Sequence, residues 1–261
     1  MMRIAAIGDN CIDAYPALQK YFPGGNAVNV AVYLRRYQVE SAYVGAVGRD
    51  AYGRLLKESL SKQGVDISHL HELDGSTAVT YVELVNNDRQ LGDYEEGVLA
   101  SFTLSEDDLS FIAGYDMVHA GIWGKVEQHF PWFRARGLIT SFDFADKLDH
   151  PLVEQVLPAI DYPFFSYHQD DAYIRSCMQH AHQQGAKVVV TTLGERGSLA
   201  YDGERFYTCG IKQVQVVDSL GAGDSFIAGF LYGVGSGYPI ERCLELGTEG
   251  AAITIAYFGA W

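Results

Sequence analysis

The stretch from Val216 to Phe230 carries the densest chemistry in the chain. Gly221, Ala222 and Gly223 lie between an alternating run, Gln213 to Val217, and an apolar, proline-free run from Ser225 to Leu231. The first run predicts a β-strand and the second the start of a buried helix. Glycines without a Cβ let three consecutive backbone N–H groups approach a ligand, and donors at a helix start have no intrahelical partner. They lie at the positive end of the helix, equivalent to about half an elementary charge. Such a turn holds an anion, most often phosphate. Asp224 therefore stands among groups that attract negative charge. A carboxylate placed there has a use: it takes a proton from a hydroxyl while the amides stabilise a transferring phosphoryl group. The plainer alternative is a glycine-rich turn in which Asp224 only caps the helix.

Two further groups have chemical potential. In Pro23-Gly24-Gly25-Asn26-Ala27-Val28-Asn29 the glycines let the backbone pass close to a polyol, and Asn26 and Asn29 offer amides to hydroxyls. An Asn-capped helix after a Pro-Gly turn is the alternative. His119 ends an apolar run and is followed by Trp123. Strand ends at the carboxyl edge of an open α/β sheet are where ligands bind, so both are candidate substrate-wall residues. His168, His180 and His182 lack the i, i+4 spacing of a helical metal pair, and His69 and His71 fall in a polar loop; neither group is read as a metal site.

The elements that must position these residues follow from the apolar pattern. A chain of 261 residues, 48% hydrophobic and 20% charged, accommodates one α/β domain with a large core and a small subdomain. Short apolar runs alternate with helical patterns, which marks a mainly parallel sheet flanked by helices. Core strands are predicted at Ile4–Ile7, Ala42–Val47, Met117–His119, Ile139–Phe142, Pro163–Phe165 and Lys187–Thr191. Helices are predicted from Asn26 to Tyr37, behind a Ser105/Asp108 capping box, and from Cys243 to Tyr257. Val79–Val85, the turn Asn86-Asn87-Asp88 and Arg89–Tyr94 read as an antiparallel hairpin. Such a hairpin projects from a parallel sheet as a lid, which keeps water away from phosphoryl transfer. The formal net charge of -14 argues against nucleic acid as a partner. No apolar run approaches a membrane span. The scattered Cys11, Cys177, Cys209 and Cys243 read as free thiols in a reducing cytoplasm.

The string Asp218-Ser219-Leu220-Gly221-Ala222-Gly223-Asp224-Ser225-Phe226 resembles the C-terminal signature of the ribokinase-like (phosphofructokinase B-type) carbohydrate kinases, with Ser219 where that family usually has Thr. The Gly24–Ala31 segment is similar to the family's N-terminal glycine signature. The resemblance covers nearly the whole chain and implies a single ribokinase-like domain, 1–261, with lid segments at approximately 11–22 and 74–100. It implies Asp224 as general base with Gly221-Ala222-Gly223 as the anion hole. Asp13, five residues after the strand-end Gly8, takes the position of a substrate-binding carboxylate. The segment Thr191-Thr192-Leu193-Gly194-Glu195-Arg196-Gly197 resembles the family's nucleotide segment, implying nucleotide contacts at Thr192, Gly194 and Gly197, with Asp218 from the signature. The C-terminal helix Cys243–Tyr257 and residues 258–261 would close over the adenine, and Thr248 in that helix stands where the family often has Asn. Asp143 to Lys147 looks like a drifted DxNxR segment, and Lys147 is the residue that would reach a terminal phosphate.

The implied cosubstrate is ATP with Mg²⁺, and a monovalent cation can accompany it. The family's metal-organising NxxE motif is absent near Phe165–Asp171, which leaves Asp170 or Asp171 to act on the metal through water. A homodimer through the lid is a further implication. Finer detail, including Gly92-Asp93-Tyr94-x-Glu96-Gly97-Val98 and Tyr257-x-Gly259-Ala260-Trp261, is similar to the subfamily of bacterial kinases that phosphorylate the 6-hydroxyl of fructoselysine, an Amadori sugar–lysine adduct. For such a substrate Arg89 would meet the tail carboxylate, and Asp93, Glu95 and Glu96 the ammonium. The alternatives are a kinase of another sugar, sugar acid or Amadori compound, and a sugar- or nucleotide-binding protein without turnover.

Overall fold

The computed structural model describes residues 2–85 and 88–261, and of residues 83–85 and 88–91 only the backbone. The chain begins with strand β1 (Arg3–Ile7), then β2 (Cys11–Tyr15), β3 (Lys20–Gly24), helix α1 (Asn26–Arg36) and β4 (Glu40–Gly48). Helix α2 (Ala51–Lys62) and β5 (Leu70–Leu73) follow, then the hairpin β6 (Val79–Val85) and β7 (Asp88–Glu95). The middle alternates α3 (Glu106–Ile112), β8 (Met117–Gly121), α4 (Phe130–Ala135), β9 (Ile139–Asp143), α5 (Pro151–Val156) and β10 (Tyr162–Ser166). The last part holds α6 (Ala172–Gln183), β11 (Val189–Thr192), β12 (Ser198–Tyr201), β13 (Phe206–Cys209), α7 (Ala222–Gly235) and α8 (Ile240–Thr254).

Nine strands form the main sheet in the order β13-β12-β11-β10-β9-β8-β1-β4-β5, parallel except for the antiparallel β11–β12–β13 edge. Side chains alternate across β1. Ala5 and Ile7 join the core beneath α3 to α6, with Ile112, Phe130, Phe133 and Met178. Ile4 and Ala6 face the opposite layer, where Val30, Leu34, Leu56 and Phe230 pack from α1, α2 and α7. The period of two in a buried strand thus assigns successive residues to two helix layers.

The fold is ribokinase-like: beside the main sheet stands a small four-stranded lid in the order β3-β2-β6-β7. The β6–β7 hairpin pairs through β2, in parallel register Asp13 to Thr80, so the lid joins two separate excursions of the chain. Each excursion leaves and re-enters the body through a glycine at positive φ, Gly8 and Gly25 for the first, Gly75 and Gly97 for the second. These corners are closely packed. A Cβ on Gly25 would lie 2.5 Å from the Cα of Asn10.

Most predicted elements are present, with shifted ends. Helix α1 stops at Arg36, with Tyr37 as its C-cap, and Ser105 and Asp108 form the expected reciprocal capping box on α3. The last helix starts three residues earlier than Cys243, directly after Pro239, whose fixed φ suits a helix entry. Strand β11 begins at Val189, because the N–H groups of Lys187 and Val188 both turn to the carbonyl of Asp161. The strand expected at Gln213 to Val217 is absent. Val214, Val216 and Val217 are exposed, and the Val217 N–H donates to the carbonyl of Ile255. Among the described residues no helix is long and apolar enough to cross a membrane, and the four cysteines are free thiols.

Candidate active site

Chain order in the main sheet reverses between β1, which continues to β4 and β5, and β8, which continues to β9 and β10. A crevice at such a switch point, outside the carboxyl ends of the strands, is the expected binding place. Asn26, the first residue of α1, occupies it. Its backbone N–H donates to Asp9 Oδ2 at 2.7 Å, so a carboxylate at the end of β1 caps α1. Its side-chain Nδ2 donates to Asp143 Oδ2 at 2.9 Å and to Asp224 Oδ1 at 2.7 Å. Its Oδ1 faces His119 Nε2 at 3.0 Å, and His119 Nδ1 faces Ser141 Oγ at 2.9 Å. Burial holds the His119 pKa down to about 3, so the ring is neutral. With Asn26 Nδ2 committed to two carboxylates, Nε2 carries the imidazole proton and Nδ1 accepts from Ser141.

Asp224 lies in the first turn of α7, opposite α1. Asn29, one turn after Asn26, donates from Nδ2 to Asp224 Oδ2 at 2.7 Å. Each carboxylate oxygen thus has its own side-chain amide. Asn29 is itself oriented from behind, since its Oδ1 accepts the indole N–H of Trp261 at 2.8 Å. Burial raises the Asp224 pKa, opposed by the amides of Asn29 and Asn26. Burial, with Asp224 and Asp9 nearby, pushes Asp143 up to about 7 against the N–H of Ala145. Asp9 is pushed to about 6, by burial first and by Asp224 in addition, against the N–H groups of Asn26 and Ala27. Asp9 and Asp143 therefore exchange protons near neutral pH, and with Asp224, whose pKa is also raised, they form a coupled set around one asparagine. A carboxylate with its pKa moved toward the working pH is suited to general-base catalysis.

Beside Asp224 a groove of about 620 Å³ runs between β11 and α8. Gly221, at φ 72°, is the N-cap of α7, and a Cβ there would fall 2.3 Å from the Tyr33 hydroxyl. The N–H of Ala222 turns back to Ser219 at 3.3 Å, and the first intrahelical bond runs from Ser225 to Gly221 at 2.9 Å. Of the Gly221-Ala222-Gly223 triplet expected from the sequence, only the Ala222 N–H is engaged in this turn, and Asp224 adds a further donor at the helix end. Gly223 lines the groove, and a Cβ on it would meet no atom within 4 Å. Thr192, Gly194, Gly197 and Thr248 line the same groove, with Val214 and Val216 as an apolar wall. The alternation that read as a core strand is that wall. The lining fits a nucleotide: apolar surface for a base, and free helix N–H groups for phosphate. Asp218 stands outside the lining. Its carboxylate accepts the N–H groups of Leu220 at 2.9 Å and Gly259 at 2.7 Å, which shapes the turn before α7.

On the other side of Asp224 stands the lid. Asp13 is a buried residue of β2, beside Gly24 of β3, where a Cβ would be 2.5 Å from Asp13 Oδ2. Gly24 therefore keeps space for a carboxylate. Trp123 is 56% exposed on the turn after β8. His119, expected beside it as a wall residue, is fully buried beneath Asn26, because the same strand end points its last side chains inward. Asn26 and Asn29, expected to meet hydroxyls, are directed at Asp224. The side chain of Arg89 lies outside the described residues.

The sequence pattern of the pfkB family carbohydrate kinases matches residues 2–261. The chain belongs to that family. It is an ATP-dependent carbohydrate kinase. A fructoselysine 6-kinase of Escherichia coli K12 is 51% identical over 261 residues, all of both chains. A fructosamine kinase of Bacillus subtilis 168 is 34% identical, covering all of this chain and 93% of the relative. Among solved structures, Arabidopsis thaliana ribokinase complexed with ribose and ATP superposes with a TM-score of 0.87 at 22% identity, covering 99% of this chain and 94% of that one.

In this kinase the two carboxylates considered for Mg²⁺ are engaged within the chain. Asp171 caps α6 through the Ile174 N–H at 3.0 Å and takes Gln169 Nε2 at 2.6 Å. Asp170 binds the Arg175 guanidinium through both oxygens at 2.6 and 2.8 Å. Both carboxylates are thus oriented by protein donors, and their expected part is to act on the metal through water. Mg²⁺ ordinarily keeps several waters and is held chiefly by substrate phosphates. Lys147 pairs with Asp146 at 2.8 Å. Residues 258–261 do not close over the groove. Phe258 packs against Tyr15 and Phe22 of the lid, and Trp261 reaches Asn29, because the Gly259 N–H is tied to Asp218. Asp9 was overlooked in the sequence, and Trp261 was read there only as part of the end that closes over the adenine. Asp9 follows the strand-end glycine directly, a position at the carboxyl edge that could have signalled it. Trp261 carried no such local sign.

Proposed function

We propose that this kinase transfers the γ-phosphoryl group of ATP to the 6-hydroxyl of fructoselysine, giving fructoselysine 6-phosphate and ADP. The observation that carries the chemistry is the clamp of Asn26 and Asn29 on Asp224, at 2.7 Å each, between the nucleotide groove and the lid. In this reading Asp224 takes the proton of the sugar hydroxyl as its oxygen attacks the γ-phosphorus. The bond to the β–γ bridging oxygen breaks, and ADP leaves. The helix N–H groups of Gly223 and Asp224 hold the phosphoryl oxygens during transfer. Asp13, the buried carboxylate of β2, accepts sugar hydroxyls. Thr192, Gly194, Gly197 and Thr248 contact the nucleotide, which arrives with Mg²⁺ on its phosphates. The 51% identity to a fructoselysine 6-kinase over the whole chain supports the choice of acceptor.

The test is ADP release, coupled to an indicator reaction, on fructoselysine, fructose and 2-keto-3-deoxygluconate. Fructoselysine should exceed both by at least tenfold in kcat/KM, with phosphate found on the 6-oxygen by NMR. Preference for either of the others would refute the acceptor. Pairing of two copies through the lid belongs to the same reading, supported by the exposed Leu18, Tyr21 and Tyr94. Sedimentation at micromolar concentration tests it, and a monomer would exclude it.

A further inference from the structure

The turn after β8 carries a backbone anomaly away from the groups already assigned. Lys125 has φ 53°, in the left-handed region where a residue with a Cβ is uncommon. Such positions persist only where the surroundings enforce them, and they cluster at functional sites. Here the surroundings are the crevice itself. A Cβ on Gly8 would lie 2.7 Å from Gly124 Cα, and one on Gly121 2.7 Å from Asn26 Oδ1. The turn thus rests on the end of β1 and on the residue that holds Asp224.

The Lys125 ammonium crosses from this turn to the lid, where Glu96 follows β7, at 2.5 Å. Both side chains are half exposed, at 50% and 38%. A solvated ion pair of this kind contributes little to stability and does not by itself account for the conformation of Lys125. Lys125 directly follows Gly124, which packs against Gly8 at the end of β1, so the pair links that strand end to the lid. Trp123, largely exposed, occupies the same turn.

A substrate with an α-amino acid at one end brings a carboxylate and an ammonium on one carbon. A fixed lysine–glutamate pair is its mirror: the carboxylate meets Lys125, the ammonium meets Glu96, and the four charges alternate. The apolar stem behind them has the Trp123 ring as a wall. We infer that Lys125, Glu96 and Trp123 form a subsite for the zwitterionic amino-acid end of the acceptor, an inference that rests on the Amadori reading above. The competing role is a latch that holds the lid to the body whatever the acceptor.

The experiment measures kcat/KM of the wild-type chain, Lys125→Gln and Glu96→Gln on four acceptors. These are fructoselysine, the fructose adducts of cadaverine (no carboxylate) and 6-aminohexanoate (no α-ammonium), and fructose. Lys125→Gln should lose 10- to 100-fold on the two acceptors with a carboxylate, and at most a few-fold on the other two. Glu96→Gln should lose as much on fructoselysine and the cadaverine adduct, and at most a few-fold on the others. Equal losses on all four acceptors would establish the latch and overturn the subsite. Unchanged rates in both variants would overturn it as well. A wild-type chain active on fructose but inactive on fructoselysine would instead remove the Amadori reading, and the subsite with it.

Discussion

Replacing Trp261 by Phe keeps an aromatic ring but deletes the N–H that fixes Asn29. Asn29 is 3% exposed, so its Oδ1 would lose a donor 2.8 Å away with little water to replace it. An unsatisfied buried acceptor costs about 1–3 kcal/mol. For a chain of this size that lowers Tm by roughly 2–10 °C. The catalytic effect is separable from this loss. The amide of Asn29 donates to Asp224 at 2.7 Å, and a hydrogen bond to a charged acceptor contributes about 1.5–3 kcal/mol. That is roughly a 10- to 150-fold bias toward the ionised carboxylate, and a carboxamide free to swing forfeits part of it. The acid limb of the kcat–pH profile should move toward neutral pH, with activity at the alkaline plateau largely kept. General damage would lower kcat at every pH. Coupled ADP release between pH 5.5 and 8.5 distinguishes the two. On an Asn29→Ala background, Trp261→Phe should add nothing further, because the relay is already cut. An unmoved acid limb, or additive losses in the double variant, would refute the relay.

Asp224→Asn preserves shape and removes the base, so kcat should fall by about 10²–10⁴-fold while the acceptor KM changes little; near-normal turnover would remove Asp224 from the mechanism. Gly223→Ala adds a methyl in open space on a helix, which should leave Tm unchanged or raised, yet it intrudes on the groove and should raise the ATP KM at least tenfold. Gly221→Ala, by contrast, meets positive φ and the Tyr33 hydroxyl and should lower Tm; thermal melts beside ATP titrations read both, and equal behaviour of the two variants would count against the turn described. Asp9 and Asp143 have folded pKa values of about 6 and about 7, above the ordinary 3.8, so the native state holds their protons more tightly than the unfolded chain. Their stabilising effect is complete below about pH 4 and is lost as pH rises through 6 and 7. Asp143→Asn should therefore flatten the fall in Tm between pH 5 and 8, which differential scanning calorimetry would detect; an unchanged slope would mean Asp143 ionises normally.

What the sequence revealed were features written within one or two turns of chain. The α7 glycine turn, the Ser105/Asp108 capping box and the β6–β7 hairpin each depend on neighbours in sequence, and each is present. The mainly parallel sheet flanked by helices followed from the alternation of short apolar runs with helical patterns. The reaction centre was less legible, since its bonds span the chain. Asn26 meets Asp224 across 198 residues, and Trp261 meets Asn29 across 232. A residue-type argument assigned those asparagine amides to hydroxyls, without seeing that a closer carboxylate would claim them. Asp170 and Asp171 went the same way, held by Arg175 and by the N-terminus of α6. Val214 and Val216 misled for another reason: apolar alternation reports a water-excluding surface, and a ligand groove calls for one as much as a core does.

The glycine corners of the lid bear on how acceptor preference is inherited. The chain passes between the body and residues 9–24 and 76–96 at Gly8, Gly25, Gly75 and Gly97, each at positive φ. The two excursions pair with each other through β2 and β6, so they form a cassette whose internal register is set apart from the main sheet. The cassette carries the buried Asp13, whereas the base, the nucleotide groove and α7 all belong to the body. Recombination at these four codons would exchange acceptor-facing surface between relatives, and Asp9 with it, while Asp224, the nucleotide groove and α7 stay in place. A graft of both segments together should fold. A graft of one alone would place a foreign β2 against a native β6 and lose the register that holds Asp13 to Thr80.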